Sequence, residues 1–462
     1  MITLQQAPAL FQQIVDCPPH ELSDAIYEQR MQLLMERLRR CGLTHAVIYG
    51  DREHFSHMEY FTKYDCRFEE GLFILSEDGA RYLVIGNEGM GFSAIVPYAV
   101  TRHLYQNFSL QGQPRGASKS LESILGACGI TQSSKVGVVG VKYFNAGDIQ
   151  SDPDQTYDVP EYILQALRAT HAALSCFTRE LTGYPDGIRM TLHDAEEIVW
   201  AEAAANRTAS VVQRMLLYLQ PGMAEYELPM LAQVGFDPHS MHPLCNFGDR
   251  SVMLGMASPG TRELRAGDPC GLCYGIRGNL TSRVSIAAYD MDSVREDLKP
   301  FIESFYAKHF EALCAWYSHL RIGVTGDELY RCVDDVIPAK EFGVTLNPGH
   351  FIGTEEWTNA ISAPGCQTRI VGNTLMQSDI IASSSQPIRT SICEDGVAIA
   401  DSAMAKELHE RYPVVYDRIQ ARRTAMEQIG IRLYPEVLPL SNLNGAFYPF
   451  MLNRNLVFAQ KD

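Results

Sequence analysis

Residues 348–353 read Pro-Gly-His-Phe-Ile-Gly, and the reading of this stretch decides the reading of the chain. Glycine on either side of the His350-Phe351-Ile352 run keeps side chains from crowding the imidazole, so a histidine at a strand edge can turn its ring to a cavity. By itself the pattern is weak, since a lone histidine between glycines is more often structural. Its setting strengthens it. Three segments of the second half, 246–285, 347–357 and 379–401, mix glycine-delimited apolar runs with polar residues at their turns, and loops held by strands are where sites usually form.

Upstream, Ile26, Met31, Leu34 and Leu38 recur at helical spacing and Gly42 follows, which predicts a helix over 22–40 closed by a C-terminal glycine. Apolar runs at 44–50, 71–75, 81–86 and 135–140 are separated by turn residues and read as strands of an α/β domain. A Pro- and Gly-bearing stretch over 151–187, helical in its middle, joins the halves. Thr191 with Asp194 gives a capping box before a helix over 195–219, which Pro221-Gly222 ends. A C-terminal helix over 404–428 and a Pro-rich apolar tail complete the reading.

The chain has 462 residues, room for more than one domain. Its 39 Lys and Arg against 55 Asp and Glu leave a net charge of −16, which argues against nucleic acid or an anionic membrane as partner. Twelve cysteines are scattered without a disulfide or zinc spacing. With no apolar run long enough to span a bilayer and no signal-like start, a cytoplasmic protein with reduced thiols is expected.

Taken in order, Glu-Leu-Arg-Ala-Gly-Asp at 263–268, Cys273-Tyr274-Gly275, Gly349-His350-Phe351-Ile352-Gly353 and Glu394-Asp395-Gly396 resemble the signature of the creatinase, prolidase and aminopeptidase P (M24) family. Glu196-Glu197-Ile198 and Pro221-Gly222 before Glu225 are similar to the opening helix of its catalytic domain. The resemblance covers roughly residues 22–402. It implies an α/β chain with a pita-bread catalytic domain behind a smaller creatinase-like N-terminal domain: 1–185 with the linker helix, 186–403 catalytic, and 404–462 a C-terminal helix and tail.

Metallopeptidases of that family hold two divalent ions on two Asp, one His and two Glu. Carried over residue by residue, the Asp positions fall on Cys273 and near Ser282. The His is His350. The first Glu falls near 381–385, where the chain reads Ile-Ala-Ser-Ser-Ser, and the last is Glu394. The resemblance therefore implies a member without the dinuclear metal and with no cofactor; the alternative is a single Zn²⁺ or Mn²⁺ on Cys273, His350 and Glu394.

The creatinase precedent, a metal-free C–N hydrolase, places its general base on Met256, and the peptidases' second substrate-facing His falls on Trp357. The candidate catalytic residues are thus His350 as base beside Glu394, and Cys273 as a nucleophile if its thiolate is stabilised. A salt bridge of Glu394 to Arg369 or Arg389, and a merely packed Cys273, are the structural readings. Candidate substrate-binding residues are Arg250 on the preceding strand, Ser282, Arg283, Trp357, and Arg67 in Tyr64-Asp65-Cys66-Arg67-Phe68.

Arg67 matches the position from which creatinase-like dimers send an Arg into the partner's site, where its planar fork would grip a substrate carboxylate; the competing reading is a surface pair with Glu69 or Glu70. The expected function is hydrolysis of an amide or amidino C–N bond in a small carboxylate-bearing molecule by a homodimer. A metal-dependent Xaa-Pro dipeptidase or aminopeptidase, a lyase, and a non-catalytic binder of a small molecule or peptide are the alternatives.

Overall fold

In the computed structural model, which describes residues 1–461, the chain divides into two compact units: Leu22–Met190, and Met1–Glu21 together with Thr191 onward. The first 21 residues thus join the second unit. The reason is a two-stranded ladder in which Ile2–Gln6 runs antiparallel to Leu456–Gln460. The residues beyond 403 are likewise part of that unit rather than an appendage.

In the unit Leu22–Met190 a six-stranded sheet runs in the order Thr101–Leu104, Arg81–Ile85, Gly71–Ser76, His45–Gly50, Lys135–Val139, Ala173–Cys176. His45–Gly50 is buried along its whole length between two apolar layers, which is why its sequence is a continuous apolar run rather than an alternation. The helix Asp24–Cys41 ends at Gly42 in the left-handed conformation, φ 65°, as the sequence predicts.

The other unit is a pita-bread α/β domain with two main sheets. One has the order Ala382–Ser385, Ile388–Glu394, Asn279–Ile286, Pro269–Ile276, His239–Phe247; the other runs His350–Phe351, Thr374–Gln377, Gly396–Ile399, Val437–Pro439. The chain crosses from the first to the second at Asp395, between Glu394 and Gly396, and the candidate site lies at this crossing. The helix Ala195–Tyr218 starts at Asp194, whose carboxylate accepts from the Glu196 N–H; Asp194 is the cap, and Thr191 is not.

The predicted helix over 404–428 is two helices, Ser402–Arg411 and Pro413–Gln428. Pro413 lacks the N–H that would continue the first. The second helix docks on the long one through buried Arg422 and half-exposed Arg418, which both bond Glu202 at 2.7–2.9 Å. Among the described residues no helix is long and apolar enough to cross a membrane.

Candidate functional site

Strand pairing places three candidates in a row. In the antiparallel ladders Cys273 faces Ser282 and Ser282 faces Glu394, so the three share one face of the five-stranded sheet. His350 comes from the first position of the short strand beside Gln377. Gly349 before it has φ +81°, and a Cβ there would stand 2.7 Å from the Trp316 ring, so glycine is required on both conformational and steric grounds.

The His350 ring is fully buried. Its Nδ1 lies 3.2 Å from the Phe351 carbonyl, which assigns the proton there and turns Nε2 to the cleft. Nε2 is 3.2 Å from Glu356 Oε1, 3.7 Å from Glu394 Oε1 and 3.9 Å from Asp379 Oδ2. Trp357 stacks on the same ring, centroids 4.1 Å apart and planes 17° apart, a geometry that favours an imidazolium.

The electrostatics follow from this crowding. Burial pushes the His350 imidazolium towards its neutral form, but Glu356 and Glu394 outweigh it and carry the pKa up to about 10. Burial raises Asp379 to about 6 against the pull of His350. Glu394 is held well above the usual carboxylate range by burial and by Asp379, as expected of acids that share a site. Cys273 is also pushed well up, by burial first and then by Glu394 and Glu356.

Several sequence expectations change here. Cys273 is a buried neutral thiol, not a poised nucleophile. Arg283 does not enter the cleft: it lies on the opposite face of its strand, bonding both Asp395 oxygens at 2.9 Å and the carbonyls of Ser282, Glu394, Leu443 and Ala446. Strand alternation accounts for this, because Ser282 faces the site.

Arg250 is exposed on the helix Gly248–Leu254, not on a strand. The salt-bridge reading of Glu394 fails. Arg369 bonds the Gly323 carbonyl, while Arg389 lies 3.7 Å over the Phe301 ring and bonds two carbonyls. In the other unit Arg67 is exposed. Glu69 is occupied by the Glu88 and Gly89 amides and Glu70 by the Tyr49 and Tyr162 hydroxyls.

The sequence reading missed Asp379 and Glu356. The resemblance points to 381–385 for an acid, whereas the carboxyl comes from the irregular link just before the strand Ala382–Ser385; Asp379 is the lone acid between Thr374 and Ser385, which is the signal in the sequence. With His350 and Glu394, Asp379 forms the group among the described residues that could hold one divalent cation, its ligand atoms all within 4.8 Å. Cys273 is not in that group, which corrects the alternative ligand set. His350 Nε2, Asp379 Oδ1 and Glu394 Oε1 are buried without an aligned hydrogen-bond partner. These donors could hold one ion; the positions that the family resemblance gives to two Asp ligands carry a thiol, Cys273, and a hydroxyl, Ser282.

Residues 200–378 match the model of metallopeptidase family M24, a span that stops one residue short of Asp379. No curated protein matches the chain. Among solved structures, dipeptidase PepE from Mycobacterium ulcerans superposes with a TM-score of 0.60 at 16% identity, covering 82% of this chain and 95% of that one. Prolidase from Thermococcus sibiricus gives 0.63 at 15%, covering 83% and 96%. X-Pro aminopeptidase from Thermotoga maritima gives 0.60 at 14%, covering 80% and 95%. At such identities these likenesses establish the fold.

Proposed function

We propose that this chain, a member of the creatinase, prolidase and aminopeptidase P family with its M24 match over residues 200–378, hydrolyses a C–N bond of a small molecule without the family's metal pair. One observation carries the reading. A buried histidine meets three carboxyls within 3.9 Å at a site where the positions of two metal-binding aspartates are Cys273 and Ser282.

The acid and base are already separated by environment. His350, protonated through neutral pH, is the general acid: Nε2–H gives its proton to the leaving nitrogen as the C–N bond breaks. Asp379, ionised above about 6, takes a proton from the water that attacks the carbon. The proton then returns across the 3.9 Å between them, and the enzyme is restored. Burial and Asp379 hold the Glu394 carboxyl well above its usual range, and in its protonated form it can donate a hydrogen bond to the developing oxyanion. Glu356 and the Trp357 face hold the imidazolium in place.

Among the described residues no Arg or Lys pairs with Glu356, Asp379 or Glu394. Arg67, exposed on the other unit and matching by position the Arg that creatinase-like dimers send across, is proposed to grip a substrate carboxylate in the partner's site of a homodimer. The test is amine release from a panel of Xaa-Pro dipeptides, N-acyl amino acids and amidino acids, with and without chelator, for the wild type and His350→Ala. We expect chelator-resistant hydrolysis that falls by about 10²–10⁴ in the variant. Two tightly bound metal equivalents per chain, or a variant as active as the wild type, would overturn the reading.

A second reading is favoured by the three converging atoms without hydrogen-bond partners. His350 Nε2, Asp379 and Glu394 would hold one divalent cation, which when bound supplies a Lewis acid for the scissile carbonyl. One metal equivalent, lost together with activity on chelation, selects it.

A further inference from the structure

We propose that His309, 41 residues before His350 in the chain and outside the cleft chemistry, is a positioning residue that sets the Asp379 carboxyl opposite His350. This deepens the proposed site and rests on Asp379 being part of it. Asp379 lies in the link 378–381 between two strands, where no ladder fixes the backbone. Three contacts replace the ladder. The Ser378 N–H donates to the Asp395 carbonyl at 3.0 Å, the Gly349 N–H donates to the Asp379 carbonyl at 2.7 Å, and His309 Nε2 lies 2.8 Å from the Ile380 carbonyl.

Each contact fixes one peptide plane: the Ser378 N–H the plane before Ser378, the Asp379 carbonyl the plane after Asp379, and the Ile380 carbonyl the plane after Ile380. The last two set the backbone at Ile380 and so hold the plane from which the Asp379 side chain departs. Of the three, only the His309 contact comes from a side chain, and it crosses 71 residues.

His309 is built for this and for little else. Its ring is fully buried, and burial lowers its pKa to about 4, so it is a neutral imidazole with its proton on Nε2 for the carbonyl. Its Nδ1 is buried without a partner, a cost that packing alone does not explain. The same helix, Lys308–His319, sends Trp316 Nε1–H to the Pro348 carbonyl at 3.0 Å and the Tyr317 hydroxyl to Ser378 Oγ at 3.1 Å.

One helix therefore holds both halves of the acid–base pair: the turn before His350 and the link that carries Asp379. A π-helical turn, Ile302–Ala307, immediately precedes it. Such turns are an uncommon local insertion that changes which side chains face a neighbour.

The test needs no substrate, so its failure is separable from failure of the proposed hydrolysis. In protein with ¹⁵N-labelled histidine rings at pH 7, Asp379→Asn calibrates how far the His350 ring signals move when that carboxylate is lost. His309→Leu, which removes the donor at similar volume, is expected to move them in the same direction by at least half as much. His309→Gln, which keeps an N–H donor, is expected to return them most of the way. A folded His309→Leu with the wild-type His350 signature overturns the proposal, as does failure of Gln to restore it. If His309→Leu does not fold, the wild-type tautomer decides: a neutral His309 protonated at Nε2 supports the clamp, and one protonated at Nδ1, or charged, overturns it.

Discussion

Two acids adjacent in the chain, Glu394 and Asp395, lie on opposite faces of the same strand end and have opposite fates. Asp395 is fully buried and fully satisfied: both oxygens meet Arg283 at 2.9 Å, and the Gly445 N–H adds a third bond at 3.0 Å. Glu394 is nearly as buried, yet its Oε1 has no aligned partner, and the one cation near it, His350, is shared with two other carboxyls. The first acid is saturated by a dedicated arginine; the second is kept short of partners. Unsatisfied buried polar atoms are expensive, and three of them converge on one cleft, which is the cost that the proposed chemistry would explain.

The largest effect expected from breaking this comparison is on the saturated side. Arg283→Met leaves Asp395 buried without its counter-charge and frees the carbonyls of Leu443 and Ala446, so unfolding stability should fall by about 3–5 kcal/mol, read from urea denaturation. Glu394→Leu removes a carboxyl that has no dedicated cation together with its hydrogen-bond donor, and should change stability by less than about 1 kcal/mol while lowering hydrolysis by about 10²–10³-fold. Equal losses of stability in the two variants would show that both faces are structural.

The next effect is on the pH profile. As pH rises through about 6, Asp379 loses its proton and becomes competent as a base, so the rate climbs; as it rises through about 10, His350 loses the proton it must donate, and the rate falls. Both limbs belong to a coupled cluster. Asp379→Asn should reduce kcat by about 10²-fold and erase the acid limb while keeping the alkaline one. An unchanged acid limb would assign the base elsewhere.

What the sequence could show of this division depended on periodicity. The apolar runs and glycine stops were legible because strand and helix periods are local properties, and the order of motifs was enough to place His350 and Glu394. Arg283 was misplaced although the signal was present: strand alternation from Ser282 already sends it to the other face. Pro413 likewise announced the break between the two C-terminal helices. Asp379 was harder, because its position depends on an irregular link pinned by Gly349, His309 and Asp395, contacts that join residues up to 71 positions apart and leave no periodic trace.

The smallest effect is expected at Cys273, the residue that most nearly imitates a catalytic group. It lies in the site row, across from Ser282, but burial and its acidic neighbours hold the thiol well above its ordinary pKa, and it packs with Leu244 and Leu280. A nucleophilic thiol needs the opposite surroundings, a cation or helix N-terminus that favours the thiolate. Here the nearby cation is already committed to three carboxyls. Cys273→Ala should therefore leave kcat/KM within about threefold and lower stability by about 1 kcal/mol for the lost sulfur contacts. Loss of activity by 10²-fold or more in a folded Cys273→Ala protein would return the thiol to the chemistry and place the reactive groups of the cleft on Cys273 rather than Asp379.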